Sequence, residues 1–171
     1  MSRREEIVAA ARTLLEAQGP DAVTMRAIAV QLGIRAPSLY KHVANKRELE
    51  VALIAEGFTE QALVFETVSR TASDLLPAFG AAYRDWARHH PHLYRLMTDG
   101  PLPRDELPAG VEARAAQPLI DAVGGDADRA RAVWAFAHGM VSLELADRFL
   151  PHADLEAVWA AGLAALAAEP A

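Results

Sequence analysis

The amino-acid sequence predicts an all-α protein of about nine helices. Alanine and leucine dominate its composition, whereas valine and isoleucine are modest, which favours helix. Apolar residues recur at three- and four-residue intervals, and no stretch shows the two-residue alternation of a strand. Capping and stop signals divide this pattern into separate helices. With 52% hydrophobic residues in 171, the chain can form a substantial core.

The N-terminal helices are marked by recognisable start and stop signals. Ser2 and Glu5 have the spacing of a capping box, which starts a first helix. Gly19, which is followed by proline, ends that helix. Thr24 is suited to cap a second helix, and Gly33 to follow its last residue, where a positive φ is cheap for glycine.

A third and a fourth helix follow at once. Residues 37–43 are expected to form the third helix, since proline suits its first turn. Leu39 and Val43 then point inward. Asn45, followed by a glutamate three residues later, is a second capping signature and starts a fourth helix from residue 46 to about 68.

The rest of the chain continues the helical pattern. Three prolines and a glycine predict a loop over residues 99–108. Asp126 can cap a long helix that ends near Phe149, before a proline. The other helices are expected at residues 76–89, 91–98, 111–123 and 155–168.

Lysines and arginines are concentrated in the N-terminal part of the chain. Residues 1–47 carry eight Lys or Arg and four Asp or Glu, a net charge of +4, whereas residues 48–171 carry a net charge of −10. This asymmetry indicates that only the N-terminal segment binds a polyanion. Such an excess also arises by chance, so charge alone leaves the partner open.

The composition excludes several kinds of site. The sequence has no cysteine, so it forms no disulfide, thiolate metal site or cysteine nucleophile. No apolar run approaches the roughly 20 residues that a membrane helix needs. The N-terminus lacks the apolar region of a signal peptide. We therefore expect a cytoplasmic protein without a membrane partner.

The two short helices on either side of Gly33 have the arrangement of a helix-turn-helix unit. The second helix of such a unit lies in the major groove of DNA. With Leu39 and Val43 buried, the side chains that project outward are Pro37, Ser38, Tyr40, Lys41 and His42. Hydroxyl, ammonium and imidazole groups can hydrogen-bond to base edges or phosphates.

Three cations lie in the first turn of a predicted helix. Arg26 lies at the start of the second helix, and Lys46 and Arg47 at the start of the fourth. The helix dipole disfavours each cation there by about 0.3–1 kcal/mol. A phosphate bound at the helix start would compensate for this cost. The alternative is that a solvent-exposed cation is tolerated at this small cost.

The first 50 residues resemble the N-terminal DNA-binding domain of the TetR family of bacterial transcriptional regulators. The resemblance rests on I-x-x-A-A-x-x-L-L-x-x-x-G at 7–19, T-x-R-x-I-A-x-x-L-G at 24–33, S-L-Y-K-H-V at 38–43 and K-R-E-L at 46–49. Because many spaced positions agree together, the combination is specific. HPHLYRLM at 90–97 and VWAFAHGMVSLEL at 133–145 more weakly resemble one subclass of TetR ligand-binding domain.

The resemblance implies a set of DNA-contacting residues. They are Thr24, Arg26, Pro37, Ser38, Tyr40, Lys41, His42 and Lys46, and Arg35 is added to them as a departure from the family pattern. Lys46 would hold a phosphate at the start of the fourth helix. Arg35 stands where the family often has a small capping residue, which leaves the third helix uncapped but adds a potential DNA contact. Val43 replaces the commoner phenylalanine, which affects packing more than recognition.

The resemblance also implies two domains. Residues 1–47 would form a three-helix helix-turn-helix domain, and residues 48–171 a helical bundle for ligand binding and dimerisation. The implied pocket would draw on Phe58, Phe79, Tyr83, Trp86, Tyr94, Met97, Trp134, His138 and Met140, with Phe65 and Phe136 in the same pool. Each of these residues alone is better explained as core, and the resemblance fixes neither which of them line the pocket nor the ligand.

The last two helices offer a surface for self-association. Gly162 is small enough for close helix approach, and Trp159 and Leu163 supply apolar contact. A protein that reads a palindrome needs recognition helices about 34–36 Å apart, and a two-fold dimer is the commonest solution. The alternative is that these residues pack within one chain.

Three histidines raise the question of a metal site. His89, His90 and His92 lack the four-residue spacing that places two ligands on one helix face. Pro91 also interrupts them. No metal or other cofactor is therefore expected, and His90 is interpreted as a residue at a helix start.

An enzyme would have to use other groups. His138 and Glu144 are the candidates, with Asp85 or Asp147 as helpers. The helix around His138 is apolar almost all round, which predicts a central, buried helix and a histidine in the core. No phosphate-binding glycine loop or nucleophile motif is present.

These features predict a TetR-like homodimeric regulator rather than an enzyme. It would bind a palindromic operator in double-stranded DNA as a repressor, and a small apolar effector would release it. The alternative is a small-molecule-binding or catalytic helical protein with an idle DNA-binding head.

Overall fold

The protein is helical throughout the part that the structure describes. A computed structural model describes residues 2–167, where it has nine α-helices and no strand, so the all-α prediction is confirmed. The helices are α1 (Arg3–Gln18), α2 (Met25–Gln31), α3 (Ala36–Leu39), α4 (Lys46–Thr71), α5 (Leu75–His89), α6 (Pro91–Thr98), α7 (Val111–Ala122), α8 (Ala127–Leu145) and α9 (Leu155–Ala167). Ala168, the expected end of the last helix, lies outside the described residues. No described helix is long and apolar enough to span a bilayer.

The predicted helix starts are confirmed by hydrogen bonds. Ser2 and Glu5 form a complete capping box at α1. Thr24 Oγ1 accepts a hydrogen bond from the backbone N–H three residues later over 3.1 Å. Asn45 Oδ1 accepts the equivalent bond over 2.9 Å, and Asp126 caps α8. Each bond satisfies a backbone donor that the helix leaves without a partner.

The third helix is shorter than predicted. Regular α3 ends at Leu39, and residues 40–42 form a turn instead of continuing the helix to residue 43. The N–H groups of His42 and Val43 both bond to the carbonyl of Leu39, over 2.8 and 3.0 Å. This shared acceptor tightens the last turn, as is common at helix ends.

Helix α8 ends at Leu145, earlier than the predicted end near residue 149. Asp147 adopts φ +50°, and the N–H of Arg148 bonds back to the carbonyl of Leu143 over 2.9 Å. This is a Schellman motif with aspartate in the left-handed position. Because glycine usually fills that position, the sequence carried no stop signal there.

The described chain divides into two compact units, each with its own core. Unit 1 comprises the residues up to Phe58 together with His90–Val111, and unit 2 comprises Thr59–His89 together with the residues from Glu112 on. The boundary falls inside α4. The division into a DNA-binding domain (residues 1–47) and a ligand-binding domain (residues 48–171) concerns function rather than packing, and it stays a prediction.

Unit 1 is built around the N-terminal helices. Helix α1 packs against α2 and α6, and α2 packs against α3. Its completely buried side chains include Ile7, Leu15, Ile28, Leu39, Leu49, Leu53 and Leu93. Burial of each such side chain stabilises the fold by about 1.5–3 kcal/mol. This core holds α2 and α3 in a fixed relation.

Unit 2 is formed by α5 packed against α8 and α9, which also pack against each other. Close packing requires Gly80, because a Cβ there would lie 2.5 Å from Cδ1 of Leu163. The prediction of a fully buried helix around His138 is wrong. Trp134 and Leu143 on α8 are 49% and 44% exposed. Helix α8 therefore also carries large apolar side chains where its own unit leaves it uncovered.

Candidate nucleic-acid interface

A tight turn sets the position of α3 relative to α2. Gly33 adopts φ +64°, and a Cβ added there would meet nothing within 4 Å, so the residue is needed for its conformation rather than for space. The N–H of Ile34 bonds back to the carbonyl of Ala29 over 2.9 Å. This closes α2 with a Schellman motif and lets α3 begin at once.

Two buried anchors fix the orientation of the α3 segment. Leu39 is 0% and Val43 1% exposed, as predicted. The residues between and before them face solvent: Pro37, Ser38, Tyr40, Lys41 and His42. Tyr40 is 55% exposed, which leaves its ring and hydroxyl open to a partner. The segment therefore presents one row of hydrogen-bonding groups on a rigid base.

Three further predicted residues flank this row. Arg35 is the N-cap residue of α3, is exposed and makes no side-chain capping bond, as expected. The hydroxyl of Thr24 accepts the capping bond of α2 and keeps its own proton for donation. Arg26 is exposed on the first turn of α2.

The two cations at the start of α4 have partners within unit 1. Lys46 Nζ donates to the carbonyl of Pro20 over 3.1 Å and lies 3.9 Å from Glu50 Oε1. Arg47 donates from Nε and Nη2 to Oε1 of Glu106 over 3.1 and 2.9 Å. This hydrogen bond raises the pKa of Arg47 above its ordinary value. The unfavourable dipole at the start of α4 is thus partly offset inside the protein.

Comparison with known proteins decides the family. Residues 7–53 match the family model for bacterial regulatory proteins of the tetR family, and residues 76–166 match the model for the tetracyclin repressor-like C-terminal domain. The second match covers more than half of the chain. The protein belongs to the TetR family. It is therefore a DNA-binding transcriptional regulator, as the sequence predicted.

Individual relatives agree with this assignment. An uncharacterised HTH-type transcriptional regulator, Rv0681 of Mycobacterium tuberculosis, is 34% identical over 83% of this chain and 70% of its own length. The class D tetracycline repressor protein of Escherichia coli is 36% identical over 54% of this chain and 38% of its own length. The crystal structure of the regulatory protein SCO4313, described as putative, is similar with a TM-score of 0.77 and 27% identity over 95% of this chain and 94% of the other.

The ligand-binding residues predicted for this TetR-family regulator fall into two groups. Phe58, Tyr94 and Met97 belong to unit 1, and the others belong to unit 2: Phe79, Tyr83, Trp86, Trp134, His138 and Met140. Phe65 lies 5.3 Å from Phe79 and 6.3 Å from Tyr83 between ring centroids, which forms an aromatic cluster in unit 2. Trp134 instead stacks on His138 at 5.6 Å on an exposed face.

Unit 2 of the regulator also has an open cleft that sequence reasoning missed. Its volume is about 570 Å³, and its walls come from α4 and α7: Glu66, Ser69, Arg70, Ala113, Arg114, Gln117, Pro118 and Asp121. Arg114 bridges this cleft with hydrogen bonds of 2.8 and 3.2 Å to the two oxygens of Glu66. The bond lowers the pKa of Glu66 below its ordinary value and raises that of Arg114. The residues are 48 positions apart, so no local pattern pairs them.

The three predicted dimer residues lie inside unit 2 of the regulator. Trp159 and Leu163 are 5% and 3% exposed. Gly162 lies under a ring, because a Cβ there would be 2.1 Å from Cζ of Phe136. The large apolar side chains that α8 and α9 leave exposed are others: Trp134, Leu143 and Val158.

The histidine and carboxylate candidates have structural surroundings. His90 is the N-cap residue of α6, as predicted. Among the described residues, no group of three or more metal-ligating side chains could hold an ion. Glu144 accepts hydrogen bonds from Arg84 over 2.9 Å and from Trp159 over 2.6 Å. Both of its oxygens are therefore engaged within unit 2.

Proposed function

We propose that this regulator is a homodimeric repressor that binds a palindromic operator and dissociates when a small molecule binds. The observation that carries the proposal is the exposed row of residues on α3 and the turn after it, held by the buried anchors Leu39 and Val43. Major-groove recognition needs a short rigid helix with hydrogen-bonding side chains on one side. The related tetracycline repressor of Escherichia coli is named for repression, which favours this direction of control.

The proposed contacts fall into two classes. Ser38 on α3 and Tyr40, Lys41 and His42 in the turn after it would reach base edges or adjacent phosphates, with Pro37 against the groove. Cations and hydroxyls at the helix starts would hold the backbone and fix the register. This second group comprises Thr24, Arg26, Arg35 and Lys46.

The proposed dimer uses α8 and α9, on which large apolar side chains remain exposed. Trp134, Leu143 and Val158 on these two helices are 49%, 44% and 39% exposed. A second copy would cover them. Trp159, Gly162 and Leu163 would support the interface from below. The pairing would have to place two recognition helices about 34–36 Å apart.

The proposed ligand-binding region is the aromatic cluster of unit 2. Phe65, whose ring contacts those of Phe79 and Tyr83, would provide with them the mainly apolar lining that small-molecule sites have. A ligand can release DNA only if it binds one conformation more tightly than the other. Helix α4 continues from unit 1 into unit 2, so we propose it as the lever.

The charged cleft of unit 2 is a second candidate site. Its volume of about 570 Å³ is within the usual range for small ligands, and Arg70 and Arg114 line it. Glu66 and Asp121 line it as well, so this site would favour a polar effector. Tyr83→Ala should abolish the response to an apolar effector, whereas Arg114→Gln should abolish the response to a polar one.

The catalytic alternative has less support. Glu144 would need a free oxygen to act as an acid or base, yet both oxygens accept hydrogen bonds. His138 stacks on an exposed indole rather than beside a carboxylate pair. A regulator needs neither group for chemistry.

Fluorescence anisotropy on genomic fragments enriched by the protein tests the proposal. The wild type should saturate a palindromic fragment with a steep salt dependence. Lys46→Ala should reduce the slope of log K against log salt by about 0.9, since one phosphate contact is lost. Arg88→Ala, which removes an exposed cation of α5, should leave the slope unchanged. Folded protein that enriches no fragment, or binds all alike, would favour the idle-head alternative.

A further inference from the structure

Arg47 lies beside the proposed DNA contacts, and its guanidinium is already hydrogen-bonded to a carboxylate. It follows Lys46 directly, in the first turn of α4. Its Nε and Nη2 atoms both donate to the same oxygen of Glu106, over 3.1 and 2.9 Å. The carboxylate therefore takes the edge of the guanidinium that would otherwise face a phosphate.

The bond between Arg47 and Glu106 is exposed and easily exchanged. The two side chains are 51% and 49% accessible to solvent. Ion pairs this exposed are weak and screened by salt. A guanidinium binds phosphate through the same N–H edge that it offers to a carboxylate. A DNA phosphate at this position would thus compete directly with Glu106.

The position of Glu106 in the chain favours such an exchange. It lies in a short 3₁₀ turn, Arg104–Glu106, within the segment that joins α6 to α7. The carboxylate can move away without breaking an α-helix.

We propose that Glu106 is an internal competitor of the DNA backbone for Arg47. In the free protein, Glu106 binds Arg47. On the operator, Arg47 exchanges this carboxylate for a DNA phosphate. Glu106 thereby weakens operator binding and lowers its salt dependence. This inference rests on the proposed DNA-binding function of unit 1.

A purely structural role makes a different prediction. If Glu106 only offsets the unfavourable dipole at Arg47 and fixes the loop, its loss changes thermal stability and leaves operator affinity unaltered. The two roles are separable by measuring both quantities on the same variants.

The experiment is an anisotropy titration of the full chain on its enriched operator at several salt concentrations. Glu106→Gln should bind about two- to five-fold more tightly at low salt, which corresponds to one exposed ion pair. Its salt slope should be steeper by about 0.9. Arg47→Ala alone should change operator affinity little, because it removes both the phosphate contact and the bond to Glu106 that this contact replaces. Arg47→Ala combined with Glu106→Gln should lose the gain in affinity.

Asp105→Asn is the matched control, because it removes the same charge one residue earlier. It should leave the salt slope as in the wild type. An equal gain in Asp105→Asn, or a gain that persists without Arg47, would mean a general charge effect and overturn the inference. Glu106→Gln that binds like the wild type would do the same. A folded wild type that binds no operator would overturn the proposed function itself.

Discussion

Trp159 donates a hydrogen bond from its indole Nε1 to Oε1 of Glu144 over 2.6 Å, and both side chains are buried. Arg84 donates to the other oxygen over 2.9 Å and also pairs with Glu156. Burial works to lower the pKa of Arg84, but the bonds to Glu156 and Glu144 outweigh it and raise the pKa above its ordinary value. One carboxylate thus joins α5, α8 and α9.

Glu144→Ala should destabilise unit 2 strongly. The variant leaves a largely buried guanidinium and an indole N–H without their acceptor, which costs about 2–4 kcal/mol. Glu156→Ala is the control on the same arginine: the Glu156 side chain is 82% exposed, and its loss should cost under about 1 kcal/mol. Urea unfolding measures both values. Equal losses would show that burial does not distinguish the two carboxylates.

Gly162→Ala should also lower stability. The new methyl group would lie 2.1–2.9 Å from three ring atoms of Phe136, so the ring or the helix must shift. Overpacking of this kind costs about 1–3 kcal/mol, more than the gain in helix propensity. Phe136→Leu combined with Gly162→Ala should recover part of the loss, which thermal unfolding of the two single and one double variant can measure. If the stability losses of the two single variants simply add in the double variant, the strain of Gly162→Ala does not come from Phe136.

The elements that sequence predicts well are those that local groups determine. The capping residues Ser2, Thr24, Asn45 and Asp126 each act on a backbone N–H within three residues, so their spacing alone reveals them. The exposed row of α3 is equally local, because it follows from the buried positions of Leu39 and Val43. The end of α8 was missed because Asp147 adopts a backbone conformation that its residue type rarely shows.

The features that the sequence could not predict depend on distant partners. Glu106 is 59 residues from Arg47, and Arg114 is 48 from Glu66, so no periodicity joins them. The exposure of Trp134 was unpredictable for another reason. An apolar helix face looks the same in sequence whether its own chain or a second chain covers it.

Acid titration should reveal the ion pair in the charged cleft. The bond from Arg114 lowers the pKa of Glu66, so the pair stabilises the folded state above the unfolded pKa and loses this effect as pH falls through the folded pKa. In an NMR titration, the Glu66 carboxyl should ionise below its ordinary pKa, and Arg114→Gln should raise that pKa toward the ordinary value. A Glu66 titration that Arg114→Gln leaves unchanged would show that the bond does not persist in solution.

Leu143→Asp should separate the proposed dimer. Leu143 is 44% exposed on α8, so a carboxylate is tolerated in one chain but would be desolvated between two. Leu63→Asp is a matched control, because Leu63 is a 52% exposed leucine on α4. Sedimentation equilibrium should find Leu143→Asp monomeric and the control dimeric, and only Leu143→Asp should lose affinity for a two-half-site operator. If both variants stay dimeric, the interface lies on another face.

Arg35→Ser should stabilise the protein and weaken its binding to DNA. Arg35 already has the extended backbone of an N-cap residue, φ −83° and ψ 138°, but provides no capping bond. A serine hydroxyl would accept one and add about 0.5–2 kcal/mol to the free energy of unfolding. The lost cation should reduce operator affinity and make the salt slope shallower by about 0.9. Arg35→Ala should reproduce the loss of DNA binding without the gain in stability. If Arg35→Ser binds DNA as well as the wild type, Arg35 does not contact the operator, and its presence at the cap has no explanation in DNA recognition.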